Sequence, residues 1–148
     1  MTAIQLSDSE KEKIREELHQ IINTLIAGCE ALDMEMAFGM FSDSSAFLMM
    51  GTDGYLCDYQ TYVDNNVSYL MTCSNFELTT RRQEIRILAR DTAIFSWAYS
   101  AAATLKTGER DLVENAGASF VFGRVDGEWK VVYYHESSAP AQRIAAGA

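Results

Sequence analysis

The chain has 148 residues, 48% of them hydrophobic, which suffices for one domain burying roughly 70% of its unfolded surface. A formal net charge of −9 and a pI near 4.6 argue against a nucleic-acid partner and against adsorption to anionic lipid. No apolar run approaches ~18 residues and no charged-then-apolar leader opens the chain, so no membrane span and a cytoplasmic location are expected.

Cys29, Cys57 and Cys73 are odd in number and lack metal-ligand spacing, which predicts reduced, mostly buried thiols. With two histidines and no clustered cysteines, no metal site is expected. No glycine-rich loop leads into a helix, so no nucleotide or other cofactor is expected.

Ser7 and Glu10 have the reciprocal spacing of a capping box and open a first helix that runs to about residue 30. Ile14, Leu18, Ile21, Ile22, Leu25, Ile26 and Cys29 recur along it as one apolar stripe. A second, shorter helix covers Met34 to Phe41, with Leu32, Met36 and Met40 on one arc and Met34, Phe38 and Phe41 on another, so both sides are to be buried. Phe47 to Met50 reads as a short strand, Gly51 to Gly54 as a turn, and Asp58 as the cap of a third helix through about Met71.

Four long strands follow, at about 76–90, 92–105, 111–125 and 128–138. Arg82, Arg86 and Arg90, interrupted by Glu84, read as a solvated strand face. Helices first and a meander last make an α+β layout, in which a curved antiparallel sheet wraps its concave face around the helices. Past Pro140 the Ala/Gly-rich tail is expected to fray.

Asp126-Gly127 is a two-residue hairpin turn. Counting back from it pairs Arg124 with Trp129, Phe122 with Val131, Phe120 with Tyr133, Ala118 with His135 and Ala116 with Ser137. A second hairpin turning at Thr107-Gly108, with Thr104 over Asp111, sets Phe95 beside Phe120, Trp97 beside Ala118 and Tyr99 beside Ala116. The common face then carries the rows Phe95-Phe120-Tyr133, Trp97-Ala118-His135 and Tyr99-Ala116-Ser137, with a hollow over the two alanines. A one-residue bulge in either hairpin would turn part of this face outward.

The segments GASFVFGRVDGEWKVVYYHESS and FSDSSAFLMMGTDG resemble the SnoaL-like branch of the nuclear transport factor 2-like superfamily. The resemblance covers most of the chain and rests on Gly-Thr-Asp-Gly at 51 to 54, Asp-Gly-x-Trp at 126 to 129 and His-x-Ser at 135 to 137. It implies a cone-shaped fold, three N-terminal helices packed on the concave face of a strongly curved, mostly antiparallel sheet, with a pocket in the cone and dimerisation common. The whole chain is then a single domain, with flexible tails at 1–6 and 140–148. The resemblance also sets Asp33 at the start of the second helix as a cap. Asp53 reads as a turn residue, and Asp91 falls opposite Arg124 as a cross-strand pair.

Within this frame His135 is the candidate acid-base or orienting group. Trp97, Tyr99, Tyr133, Ser137, Met36, Met40 and Phe120 would form its pocket, suited to a small hydrophobic or aromatic molecule. The competing reading of His135 is a hydrogen-bonded core histidine. Ser96, Ala98, Ser100, Val121, Val132 and Tyr134 fall on the opposite face, a flat surface suited to a homodimer. Two functions follow: a small-molecule-binding protein, in enzymatic form a cofactor-independent isomerase, cyclase or hydratase, or a noncatalytic homodimeric association module with a filled or vestigial pocket.

Overall fold

The computed structural model describes residues 5–147, so of the expected terminal tails residues 1–4 and 148 lie outside the described residues. Helix α1 spans Asp8–Ala31. Its capping box closes as expected: Glu10 N donates to Ser7 Oγ at 3.2 Å and Ser7 N to Glu10 Oε2 at 2.8 Å, pairing two otherwise orphaned donors. Leu32 then takes a left-handed conformation (φ 54°) and reverses the chain. Asp33 caps the short α2, Met34–Phe38, accepting from Met36 N at 3.1 Å. Asp58 likewise caps α3, Tyr59–Leu70, accepting from Thr61 N at 2.9 Å.

The strands are β1 Leu48–Met50, β2 Leu56–Cys57, β3 Cys73–Ala89, β4 Thr92–Leu105, β5 Arg110–Val125, β6 Glu128–Ser138 and β7 Gln142–Ile144. They form one sheet in the order β2-β1-β6-β5-β4-β3, with β7 added beside β5. Among the described strands β1–β6 is the parallel pairing and the others are antiparallel. The fold is the expected α+β cone. Leu18, Ile22, Phe95, Phe122 and Val131 are its most deeply buried large side chains, where the apolar stripe of α1 meets the sheet's concave face. Burying a side chain of this size contributes about 1.5–3 kcal/mol.

Two bulges decide which residues face the interior. Along β4 and β5 the expected register holds for Phe95–Phe120, Trp97–Ala118 and Tyr99–Ala116. An extra residue on β5 beyond Ala116 then moves Asp111 opposite Ala103 instead of Thr104. Along β5 and β6 the expected pairs Arg124–Trp129 and Phe122–Val131 also hold, and the turn residues Asp126 and Gly127 have φ of 50° and 82°, as the two-residue loop requires. Beyond Val131 a bulge inserts one residue into β6. Phe120 therefore faces Tyr134, Ala118 faces Glu136 and Ala116 faces Ser138.

The bulge corrects the expected rows containing Tyr133, His135 and Ser137. Its physical reason is composition. Val131-Val132-Tyr133-Tyr134 carries no polar alternation, so the segment itself does not choose a face. Packing chooses Tyr134, whose ring meets Phe120 at 4.8 Å, Tyr62 at 5.4 Å and Phe41 at 5.9 Å between centroids.

Three further expectations change. Part of the expected C-terminal tail is strand β7, held by Arg143 on Asp111. Arg124 does face Asp91, its N–H donating to the Asp91 carbonyl at 3.2 Å, but its side chain goes to Glu17 (3.3 Å) and lies over the Trp129 ring (4.5 Å), while the Asp91 carboxylate accepts from Thr92 Oγ1. Helix α2 ends at Phe38, and Met36 stands 39% exposed. Arg82 and Arg86 are solvated, as expected, and the three cysteines are unbridged, with Cys57 and Cys73 buried. Among the described residues no helix is long and apolar enough to cross a membrane.

Candidate functional site

Between the concave face of the sheet and the helices lies a half-open cavity of about 350 Å³. Ala116 lines it opposite the much larger Tyr99 and leaves room there. The sheet wall is aromatic. Trp97 and Tyr99 stack at 4.0 Å, and Phe120 and Tyr134 continue the surface. Phe38, Phe41 and Tyr62 close it from the helices. The Trp97 indole donates to Thr80 Oγ1 at 2.9 Å, which fixes its plane against the cavity.

Of the residues proposed from the sequence, Trp97, Tyr99 and Phe120 line this cavity. Met40 is buried in the core but does not line it. The exposed Met36 is also outside it, as are Tyr133, His135 and Ser137. His135 pairs with Ser119 and lines a shallow trough of about 440 Å³ on the outer face, together with Ser96, Ser119, Arg82, Glu84 and Ser137. The bulge that turned His135 outward put Glu136 in its place.

Glu136 lines the cavity on the β6 side. The Tyr134 hydroxyl donates to its Oε2 at 2.9 Å. Burial raises the Glu136 carboxyl above the usual carboxylate range and the negative charge of Asp53 adds to this, while the Tyr134 hydrogen bond and His135 pull it down. Burial likewise pushes the Tyr134 and Tyr62 hydroxyls well up and that of Tyr99 to about 12. All three therefore stay protonated donors near neutral pH, grouped around a carboxyl that takes up a proton more readily than an exposed one. This is an arrangement able to accept a proton, orient a carbonyl or hydroxyl, or neutralise a positive charge.

At the rim Asp111 also lines the cavity, but it is already engaged. Arg143 reaches it with Nε at 2.7 Å and Nη2 at 2.9 Å, and Tyr69 donates at 2.8 Å. These bonds, Arg143 first, hold its carboxyl below the usual range. Among the described residues no group of His, Cys, Asp or Glu is arranged to hold a metal ion.

Sequence reasoning missed Glu136, Tyr134 and Asp111, each moved inward by a bulge. The only local signal for the first two was the unpatterned Val-Val-Tyr-Tyr run.

Several solved structures share the fold at low identity. A hexachlorocyclohexane dehydrochlorinase, LinA type 2, is 11% identical with a TM-score of 0.75, over 94% of both chains. A nuclear transport factor 2-like superfamily protein from Salmonella enterica serovar Typhimurium is 16% identical with a TM-score of 0.75, over 88% of this chain and 94% of that one. A Xanthomonas campestris protein assigned as a calcium/calmodulin dependent protein kinase II association domain is 18% identical with a TM-score of 0.67, over 84% of this chain and 86% of that one. They share its α+β cone fold. No curated protein matches the chain. The sequence profile of one family matches residues 14–140, the greater part of the domain. The chain belongs to the calcium/calmodulin dependent protein kinase II association domain family.

Proposed function

We propose that this chain binds a small, largely apolar molecule inside its cone, with Glu136 in the role first sought in His135. The observation that carries this reading is the aromatic cavity of about 350 Å³ with one carboxyl, Glu136, that forms no ion pair among the described residues. Sites for small molecules share this character, mostly apolar with a few convergent polar groups. The SnoaL-like resemblance and the dehydrochlorinase of the same fold support it. In its enzymatic form the protein is a cofactor-independent isomerase, cyclase or hydratase in which Glu136 moves the proton. The test is cavity filling: Ala116→Phe. Compounds that shift the melting temperature of the parent protein are expected to leave this variant's unchanged. A panel of small aromatic alcohols, ketones and amines that shifts neither protein refutes the reading.

A second property is compatible with the first, because it uses the other side of the sheet. Family membership and the trough of small side chains at Ser96, Ala98, Gly117 and Ser119 support self-association as a homodimer through the outer face. Tyr134, expected on that face, is buried within, and Tyr133 stands there in its stead. Light scattering at micromolar concentration is expected to give a dimer or larger assembly, and Ser119→Arg a smaller species. A parent protein that is monomeric refutes it.

A further inference from the structure

The chemical class of the occupant follows from the charges that line the cavity, and this inference rests on the small-molecule reading above. Two carboxylates line it, Glu136 and Asp111. Asp111 has its cation in Arg143, through two hydrogen bonds, and a third bond from Tyr69. Glu136 has none. Its Oε2 accepts from Tyr134, and among the described residues its Oε1 accepts from nothing. No lysine, arginine or histidine among the described residues lines the cavity. The wall beside Glu136 is aromatic, with Trp97 and Tyr99 stacked on each other at 4.0 Å and Phe120 and Tyr134 also lining it.

A carboxylate held in an apolar chamber without a counter-charge is costly, and the cost falls when an occupant brings the opposite charge. Aromatic faces add to the same preference, since their π-electrons attract cations and attract them more strongly where water is excluded. An anionic occupant would meet both the carboxylate and the ring faces unfavourably. The volume sets the size: about 350 Å³ lies near the lower end of the ~300–1,000 Å³ typical of small-molecule sites, room for one ring and a short chain.

We propose that the cone takes an organic cation, a protonated primary or secondary amine on a small apolar body, with its ammonium group against Glu136 Oε1 and its body against Trp97 and Tyr99. Burial, which raises the pKa of the Glu136 carboxyl, and the nearby negative charge of Asp53 both favour an occupant that brings a positive charge.

The experiment is calorimetric titration of the full chain at pH 7.5 with three probes of matched size: 2-phenylethylamine, 2-phenylethanol and 3-phenylpropanoate. The amine is expected to bind at least ten-fold tighter than the alcohol, and the carboxylate more weakly than both. In Glu136→Gln the amine's advantage is expected to fall below three-fold while alcohol affinity is retained, which also reports that the variant is folded. In Tyr134→Phe, which keeps the carboxylate, the advantage is expected to persist. Equal binding of amine and alcohol, tightest binding of the carboxylate, or an advantage that survives Glu136→Gln overturns the proposal while leaving the pocket reading in place. Binding of none of the three overturns both.

Discussion

Gly28→Ala has a sign that helix propensity alone would get wrong. Gly28 lies within α1, where alanine normally stabilises by about 1 kcal/mol over glycine. Here the left-handed Leu32 folds α2 back so closely that a Cβ at position 28 would stand 2.4 Å from Ala37 N and 2.6 Å from Met36 C and Cβ. Ordinary contact begins near 3.4 Å, so α2 must retreat by about 1 Å. Most of the atoms met are backbone, with no rotamer to relieve them, which places the cost at the upper end of the ~1–3 kcal/mol range for overpacking. The net expectation is a loss of about 2 kcal/mol, or roughly 4–8 °C in melting temperature for a domain of this size. Ala27→Gly, one position away on the exposed side, is the matched control and should lose only about 1 kcal/mol. Both are read by thermal and urea unfolding at one fixed protein concentration, since self-association would couple stability to concentration. A Gly28→Ala protein as stable as its parent would refute the close approach of α1 and α2. Because Ala37 and Phe38 also line the cavity, the variant should bind cavity ligands more weakly as well.

Three other substitutions test the site's supports. Thr80→Val removes the acceptor of the buried Trp97 indole and should cost about 1 kcal/mol in urea unfolding, restored by Thr80→Ser. Arg143→Gln should destabilise the protein modestly at pH 7, as expected for an exposed ion pair. Asp111 is held below its unfolded pKa of about 3.9, so the pair's contribution is full above that value and is lost as pH falls through the lower folded one. The stability gap between parent and Arg143→Gln should therefore be constant from neutrality to about pH 4.5 and close in stronger acid. Glu136 has the opposite sign, since burial raises its folded pKa above the unfolded value. Its ionised form destabilises the fold at neutral pH, and stability is regained as pH falls through the raised pKa. Glu136→Gln should thus melt above the parent at pH 7, with the gap closing toward about pH 4.3; a lower melting temperature at pH 7 would contradict the buried, unneutralised carboxylate.

The parts of this protein that local chemistry dictates were legible in its residues. Ser7 with Glu10, Asp33 and Asp58 cap the helices they precede, because each satisfies backbone donors within three residues. Asp126-Gly127 makes its turn because both positions need positive φ. The rows Phe95–Phe120, Trp97–Ala118 and Tyr99–Ala116 follow from alternation against alanines, and with them the hollow in the cone.

Tertiary structure alone decided what faces that hollow. A side chain changes face with every residue, so one inserted residue exchanges an entire set. Where the sequence alternates, burial resists such an insertion. In Val131-Val132-Tyr133-Tyr134 both faces are apolar, and the choice passed to the rings of Phe41, Tyr62 and Phe120, drawn from distant segments. They took Tyr134 inward, carried Glu136 in with it and left His135 on the outer face. Asp111 entered by the other bulge and was fixed by Arg143, on a three-residue strand too short to show a pattern. The cone and its hollow were local in origin, whereas the identity of its acid was settled by packing across the whole fold.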